Sequence, residues 1–174
     1  MKFSRRAAAV IATLAVPPIV SVAAALPAAA ICDGPRTIYS ITDASNVWVK
    51  TNVSSAYIKG PGSVSITKGR SWTATGTVTA TVSAEAGIVF AKASASLGVS
   101  VALARTGSTA FTYTLNVPSG KTMRLQQYKK GKGFRVTKKT LQSPCTYRTA
   151  YSKQYATGPV SSNAESTYLY KLVS

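Results

Sequence analysis

Cys32 and Cys145 are the only cysteines of the chain, and there is no histidine to join them. Without histidine, and without a C-x-x-C spacing, neither a zinc site nor a dithiol redox pair has its parts. A single cysteine pair in an exported chain reads as one disulfide. The four carboxylates, Asp33, Asp43, Glu85 and Glu165, are too few and too scattered for a paired acid–base site or a calcium cage. Lack of histidine also removes the Ser–His and Cys–His dyads. Ser65-Ile66-Thr67-Lys68 spells S-x-x-K, the nucleophile motif of penicillin-binding enzymes. Its companion motifs are missing, and it falls in a short strand pattern and not at a helix start. Neither catalysis, a cofactor nor a metal is expected.

Positive charge is what the chain does carry: 21 Lys+Arg against 4 Asp+Glu, or +17 at pH 7 in 174 residues. Lys121, Arg124, Lys129, Lys130, Lys132, Arg135, Lys138 and Lys139 crowd into one stretch, with Tyr128 and Phe134 among them. Interleaved cations and aromatics can hold nucleic acid through phosphates and stacking. An exported protein meets acidic protein partners, anionic envelope polymers or an anionic leaflet instead. The cluster is therefore read as a partner-binding surface, for other secreted subunits first and an anionic cell-surface polymer second. Nucleic acid is not expected, and membrane contact is left open. The competing reading is a solvated face whose charges block edge aggregation.

Export itself is read from the first thirty residues. Lys2, Arg5 and Arg6 form a basic start, Ala7 to Leu26 is almost uncharged and apolar, and Ala28-Ala29-Ala30 offers a small-residue cleavage point. This is the pattern of a cleaved signal peptide over 1–30, with a secreted domain over 31–174.

Alternation is the main signal for the elements that position these residues. From Trp72 to Ala86 every even position is apolar or small, and the odd ones are Thr73, Thr75, Thr77, Thr79, Thr81, Ser83 and Glu85. The phase breaks at Gly87 to Phe90. It resumes on odd positions from Ala91 to Leu103, with Lys92, Ser94, Ser96, Gly98 and Ser100 between. Period two predicts two long strands with one wet face. An Ala-rich helix over 84–104 is the rival reading, because Ala and Gly are poor strand formers. Shorter strands are expected over 37–41, 47–53, 63–66, 111–117, 123–128, 134–137 and 166–173. Asp43-Ala44-Ser45-Asn46, Pro118-Ser119-Gly120 and Lys129-Lys130-Gly131-Lys132-Gly133 are expected as turns or breaks. The strand core is placed at about 37–141, followed by a polar, Tyr-rich segment over 146–174.

The run from Trp72 to Val101 (WTATGTVTATVSAEAGIVFAKASASLGVSV), followed by V-P-S-G-K-T at Val117 to Thr122, resembles small secreted β-rich proteins of Streptomyces and their relatives. Within that group it is similar to the small adaptor subunit of umbrella-shaped antibacterial toxin particles. That resemblance implies a non-catalytic link between subunits of an extracellular complex. The alternating hairpin pattern is also similar to the stems of aerolysin-type pore-forming toxins, which implies a membrane-active β-hairpin. Each arm exceeds the roughly 9–11 residues that a strand needs to cross a bilayer. Against that reading stand a face built mostly of Ala and Gly and the lack of aromatic girdles.

The expectation is a single all-β, sandwich-like antiparallel domain with one disulfide and a flexible segment on one or both sides. Its expected role is a secreted, non-enzymatic adaptor whose sheet edges accept strands from partners. A membrane-active hairpin and a binder of anionic envelope polymers are the alternatives.

Overall fold

The computed structural model describes residues 32–174, so the signal peptide expected over 1–30 lies outside them. The strand β7, Thr122–Gln142, organises the rest. Along one edge it pairs antiparallel with β1 (Thr37–Ser54) and then β2 (Ile58–Lys59). Along the other it pairs with β8 (Thr146–Pro159) and then β9 (Tyr168–Val173). Next to β1 come β4 (Ser71–Thr75) and β5 (Ala104–Ser108), which close a seven-stranded sheet. A separate two-stranded ribbon joins β3 (Gly62–Ile66) to β6 (Tyr113–Val117).

The Lys129–Gly133 run is not the expected turn. It lies in mid-strand, and its glycines answer to crowding by the neighbouring strands. A Cβ on Gly131 would stand 2.6 Å from the Gly158 carbonyl oxygen, and one on Gly133 would stand 2.6 Å from the Tyr155 hydroxyl. A second correction concerns Asp43 to Asn46. The expected break is a bulge inside one continuous strand, with Asp43 at φ 52°. Thr42 faces Arg135 and Ser45 faces Gly133, so β1 carries one extra residue there. An extra residue moves the inward side chains of a strand to its other face. Tyr39 and Ile41, before the bulge, pack with Phe134 and Val136. Val49 and Val53, after it, pack with Leu125, Trp72 and Tyr168.

The two cores therefore lie at different ends and on opposite faces of the sheet. At one end the ribbon covers the sheet through Val64, Ile66 and Val117. The other end is covered by α1 (Ala80–Ser83) and α2 (Ala86–Leu97), through Val82, Val89, Phe90 and Ala93. The class is all-β as expected, with a ribbon and a helix where a sandwich would have a full second sheet. The long strands expected up to Ala86 and from Ala91 are a further correction. Of the first only Ser71–Thr75 is strand; the second has none beyond a single bridge at Val101, and β5 (Ala104–Ser108) begins just after it. Four alanines between 86 and 95 favour helix, Gly98 ends it in the left-handed conformation at φ 65°, and Phe90 meets Phe134 edge to face at 5.6 Å.

The Tyr-rich C-terminal segment is also more than a polar appendage, since β8 and β9 supply one whole edge of β7's pairing. At the start of the described chain, Cys32 is bridged to Cys145 across a separation of 113 residues. A disulfide is consistent with an oxidising, extracellular setting. No helix among the described residues is long and apolar enough to cross a membrane. In the chain-entropy account a bridge this long stabilises by about 4–5 kcal/mol. The C32S/C145S variant should lose close to that amount in urea unfolding, with β7 and its partners still forming.

Candidate functional site

Two regions could carry function: the basic stretch of β7, and the chain between β4 and β5. Alternation along β7 scatters seven of the eight cations over both faces, with Lys121 just before the strand. Lys121 and Lys139 are exposed, and the half-buried Arg124 lies over the Tyr57 ring at 4.8 Å. Arg135 is 3.8 Å from Asp43 and donates to the Lys153 carbonyl at 3.0 Å. Lys138 pairs with Glu85. Lys130 and Lys132 are half-buried side by side along one face of the strand.

Lys129 is fully buried. Its ammonium lies 3.8 Å from the centre of the Tyr168 ring and donates to Thr167 Oγ1 at 2.7 Å and to the Ser162 carbonyl. Burial, with a smaller push from Arg105, lowers its pKa to about 8. Two of the eight cations have a carboxylate partner among the described residues. Sequence-distant Asp43 and Glu85 are folded onto Arg135 and Lys138.

The second region is a detour in an otherwise simple hairpin. β4 and β5 pair from Ser71↔Ser108 to Thr75↔Ala104, and the Gly76 N–H adds one bond to the Leu103 carbonyl at 2.7 Å. Beyond that point the two arms separate. The outgoing arm bonds to β8 through Thr77 and Thr157, and then forms α1 and α2. The returning arm bonds near β8's end, with the Ala102 N–H on the Pro159 carbonyl at 3.3 Å. Ser94 Oγ closes the detour, donating to the Phe90 carbonyl and accepting from the Val101 N–H at 2.9 Å.

One ionic contact ties this detour to the sheet. Glu85, between α1 and α2, accepts from Lys138 Nζ, from the Tyr39 hydroxyl at 3.1 Å and from the Tyr151 hydroxyl at 3.0 Å. Those three donors form a lateral row across β1, β7 and β8, because Tyr39 and Tyr151 are both register partners of Lys138. The Lys138 bond, helped by the two tyrosines and opposed by burial, lowers the Glu85 pKa. Burial and the carboxylate raise both tyrosines. Sequence reasoning missed this cluster. Its one signal was Glu85, the sole charge between Ser71 and Ala91.

Among the described residues no three metal-binding side chains come together. No family model, curated protein or solved structure matches the chain.

Both titrating groups give measurable consequences. A carboxylate with a lowered folded pKa stabilises above its unfolded value, about 4.3, and loses that contribution as pH falls through the folded value. E85Q should therefore be less stable than wild type at pH 7, and the gap in urea midpoints should narrow as pH falls below the ordinary carboxylate range. Lys129 has the same sign in a higher pH window, because burial penalises its charged form. From about pH 8 upward the unfolded chain holds a proton that the folded chain releases, so stability rises with pH. That rise, read as the urea midpoint at pH 7.5 and 9.5, should be absent in K129M.

Proposed function

We propose that this is a secreted, membrane-inserting β-protein whose residues 76–103 extend the β4–β5 pair into an amphipathic hairpin. One observation carries the reading, the register of β4 with β5. Continued inward from Thr75↔Ala104, it sets Val78 opposite Val101, Ala80 opposite Val99, Val82 opposite Leu97, Ala84 opposite Ala95 and Ala86 opposite Ala93. The phase break at Gly87–Phe90 then falls at the hairpin tip, and every apolar position of one arm meets an apolar position of the other. The opposite face collects Thr79, Thr81, Ser83, Ser96 and Ser100, with Glu85 and Lys92 near the tip. Such a hairpin has a lipid side and a water side along its whole length. A closed barrel satisfies all its backbone groups in lipid. Barrels start at eight strands, so four or more copies would have to pool their hairpins.

The packed form is compatible with release. A cavity of about 350 Å3 lies against α2, lined by Ala86, Phe90, Ala91, Val101 and Leu103, and Ile88 is 54% exposed. Glu85 is the ionic tether that must let go.

The test uses positions that are exposed in the packed form but differ in the hairpin. Ala84 and Ala95 are exposed and face lipid in the extended register, whereas Ser83 and Ser96 are exposed and face water. A lysine on the lipid face of a barrel costs roughly 2–4 kcal/mol at the midplane. Wild type and S83K/S96K should release dye from anionic liposomes with similar potency. A84K/A95K should need at least thirtyfold more protein while unfolding at the same urea concentration. Equal activity of the two variants would remove the hairpin reading.

A second reading keeps the packed form: a non-enzymatic adaptor that joins other secreted subunits. Among the described residues β5 pairs only with β4, and an outer edge of this kind accepts a partner strand. It is favoured if wild type leaves liposomes intact and co-purifies from culture fluid with a fixed partner.

A further inference from the structure

β7 changes partners on one edge at Lys130: β9 pairs with it as far as Lys129, and β8 takes over at Gly131. The chain joining β8 to β9 crosses this gap. It is held by the Val160 N–H on the Lys130 carbonyl and the Ser161 N–H on the Ser100 carbonyl, each at 3.1 Å. A cavity of about 440 Å3 results. Lys130 and Lys132 line it with Ser100, Ser161, Ser162 and Thr167. No lining residue is acidic. Neither lysine side chain has an ion pair or hydrogen bond among the described residues. Two further cations bond to lining residues from behind them. Lys129 donates to the Ser162 carbonyl and to Thr167 Oγ1. Arg105 Nη2 donates to Ser100 Oγ at 2.6 Å, which leaves the Ser100 hydroxyl hydrogen to be given elsewhere.

The geometry points to a binding site for a phosphate monoester. Lys130 and Lys132 are partly buried residues two apart on one face of a strand, and they line a cavity that holds no carboxylate, an arrangement suited to an anion. A phosphate monoester carries about −1.5 to −2 charges at pH 7 and three terminal oxygens. It can satisfy both lysines and still accept from serine hydroxyls. A carboxylate brings one charge and two oxygens. Lysine, a compact point charge, is a common phosphate ligand where bidentate geometry is not required. The volume lies within the range of small-ligand pockets, about 300–1,000 Å3, and admits a small ester group such as glycerol. The same headgroup occurs free in solution and on phosphatidic acid. The site does not depend on membrane insertion and can be read on the soluble protein.

Titration calorimetry of the mature protein with glycerol 3-phosphate should show one saturable site per chain, and glycerol alone should show none. K130Q/K132Q should weaken binding at least tenfold, while K130R/K132R retains it. K121Q/K139Q removes the same charge from exposed positions outside the cavity and should bind like wild type. S161A leaves the Ser161 backbone bond in place and should weaken binding severalfold, which provides a reading if the double lysine variant does not fold. Flotation with vesicles of phosphatidic acid or phosphatidylglycerol at equal surface charge separates the sources. Preference for phosphatidic acid, competed by glycerol 3-phosphate, assigns the site to the lipid headgroup. No preference, with binding in solution intact, assigns it to a soluble ester. Absence of saturable binding, or equal losses in K130Q/K132Q and K121Q/K139Q, would overturn the site.

Discussion

The double-sided pairing of β7 is the constraint on which the remaining structure depends. One strand of 21 residues is hydrogen-bonded along nearly all of both edges, to β1 and β2 on one side and to β8 and β9 on the other. Its composition follows from that position. Glycines stand where β8 and β1 approach within a Cβ's reach. Gln126 and Gln127 are buried because their amides have partners: Gln126 Nε2 donates to the Thr51 and Val53 carbonyls, and Gln127 Nε2 to the Tyr170 hydroxyl at 3.0 Å. Lys129 is buried at the level where β9 ends, with two oxygen acceptors and two aromatic faces around its ammonium. Buried polar groups of this kind are tolerated only when paired.

The β1 bulge lets one sheet support two separate cores. By shifting β1's inward face midway, it places the ribbon's core and the helices' core on opposite sides. Each cover then hides only half of the sheet. The helical cover is the lighter of the two. Its buried side chains are few, it borders a cavity, and its ionic connection to the sheet runs through Glu85. An element held this way belongs to the low-stability end of a fold, from which moving parts are drawn.

Residues 76–103 obey two periodicities at once. Ala and Ser are small enough to sit on a helix or on a strand, and their spacing serves both. In water the helix is favoured because alanine has high helix propensity and because Val82, Val89, Phe90 and Ala93 find the Phe134 end of the sheet. A free hairpin would instead expose its whole apolar face. Under the proposed reading a bilayer would invert that balance, because apolar surface is not penalised there and backbone groups have to pair within a barrel.

Local patterns in the sequence determined the all-β class, the disulfide, the turn at Pro118–Gly120, where Gly120 takes φ 73°, and the closing strand β9. These are written in nearest-neighbour chemistry: period-two alternation, a proline–glycine turn, a lone cysteine pair. The tertiary structure alone decided the rest. Whether KKGKG is a turn or the centre of a strand depends on strands that press against its glycines from elsewhere in the chain. Which cations stay free depends on carboxylates brought from far upstream, as Glu85 is to Lys138. Whether an alternating Ala/Ser segment is strand or helix depends on the sheet surface that receives its apolar side. Each of these outcomes is set by long-range contact, and local sequence carries no term for it.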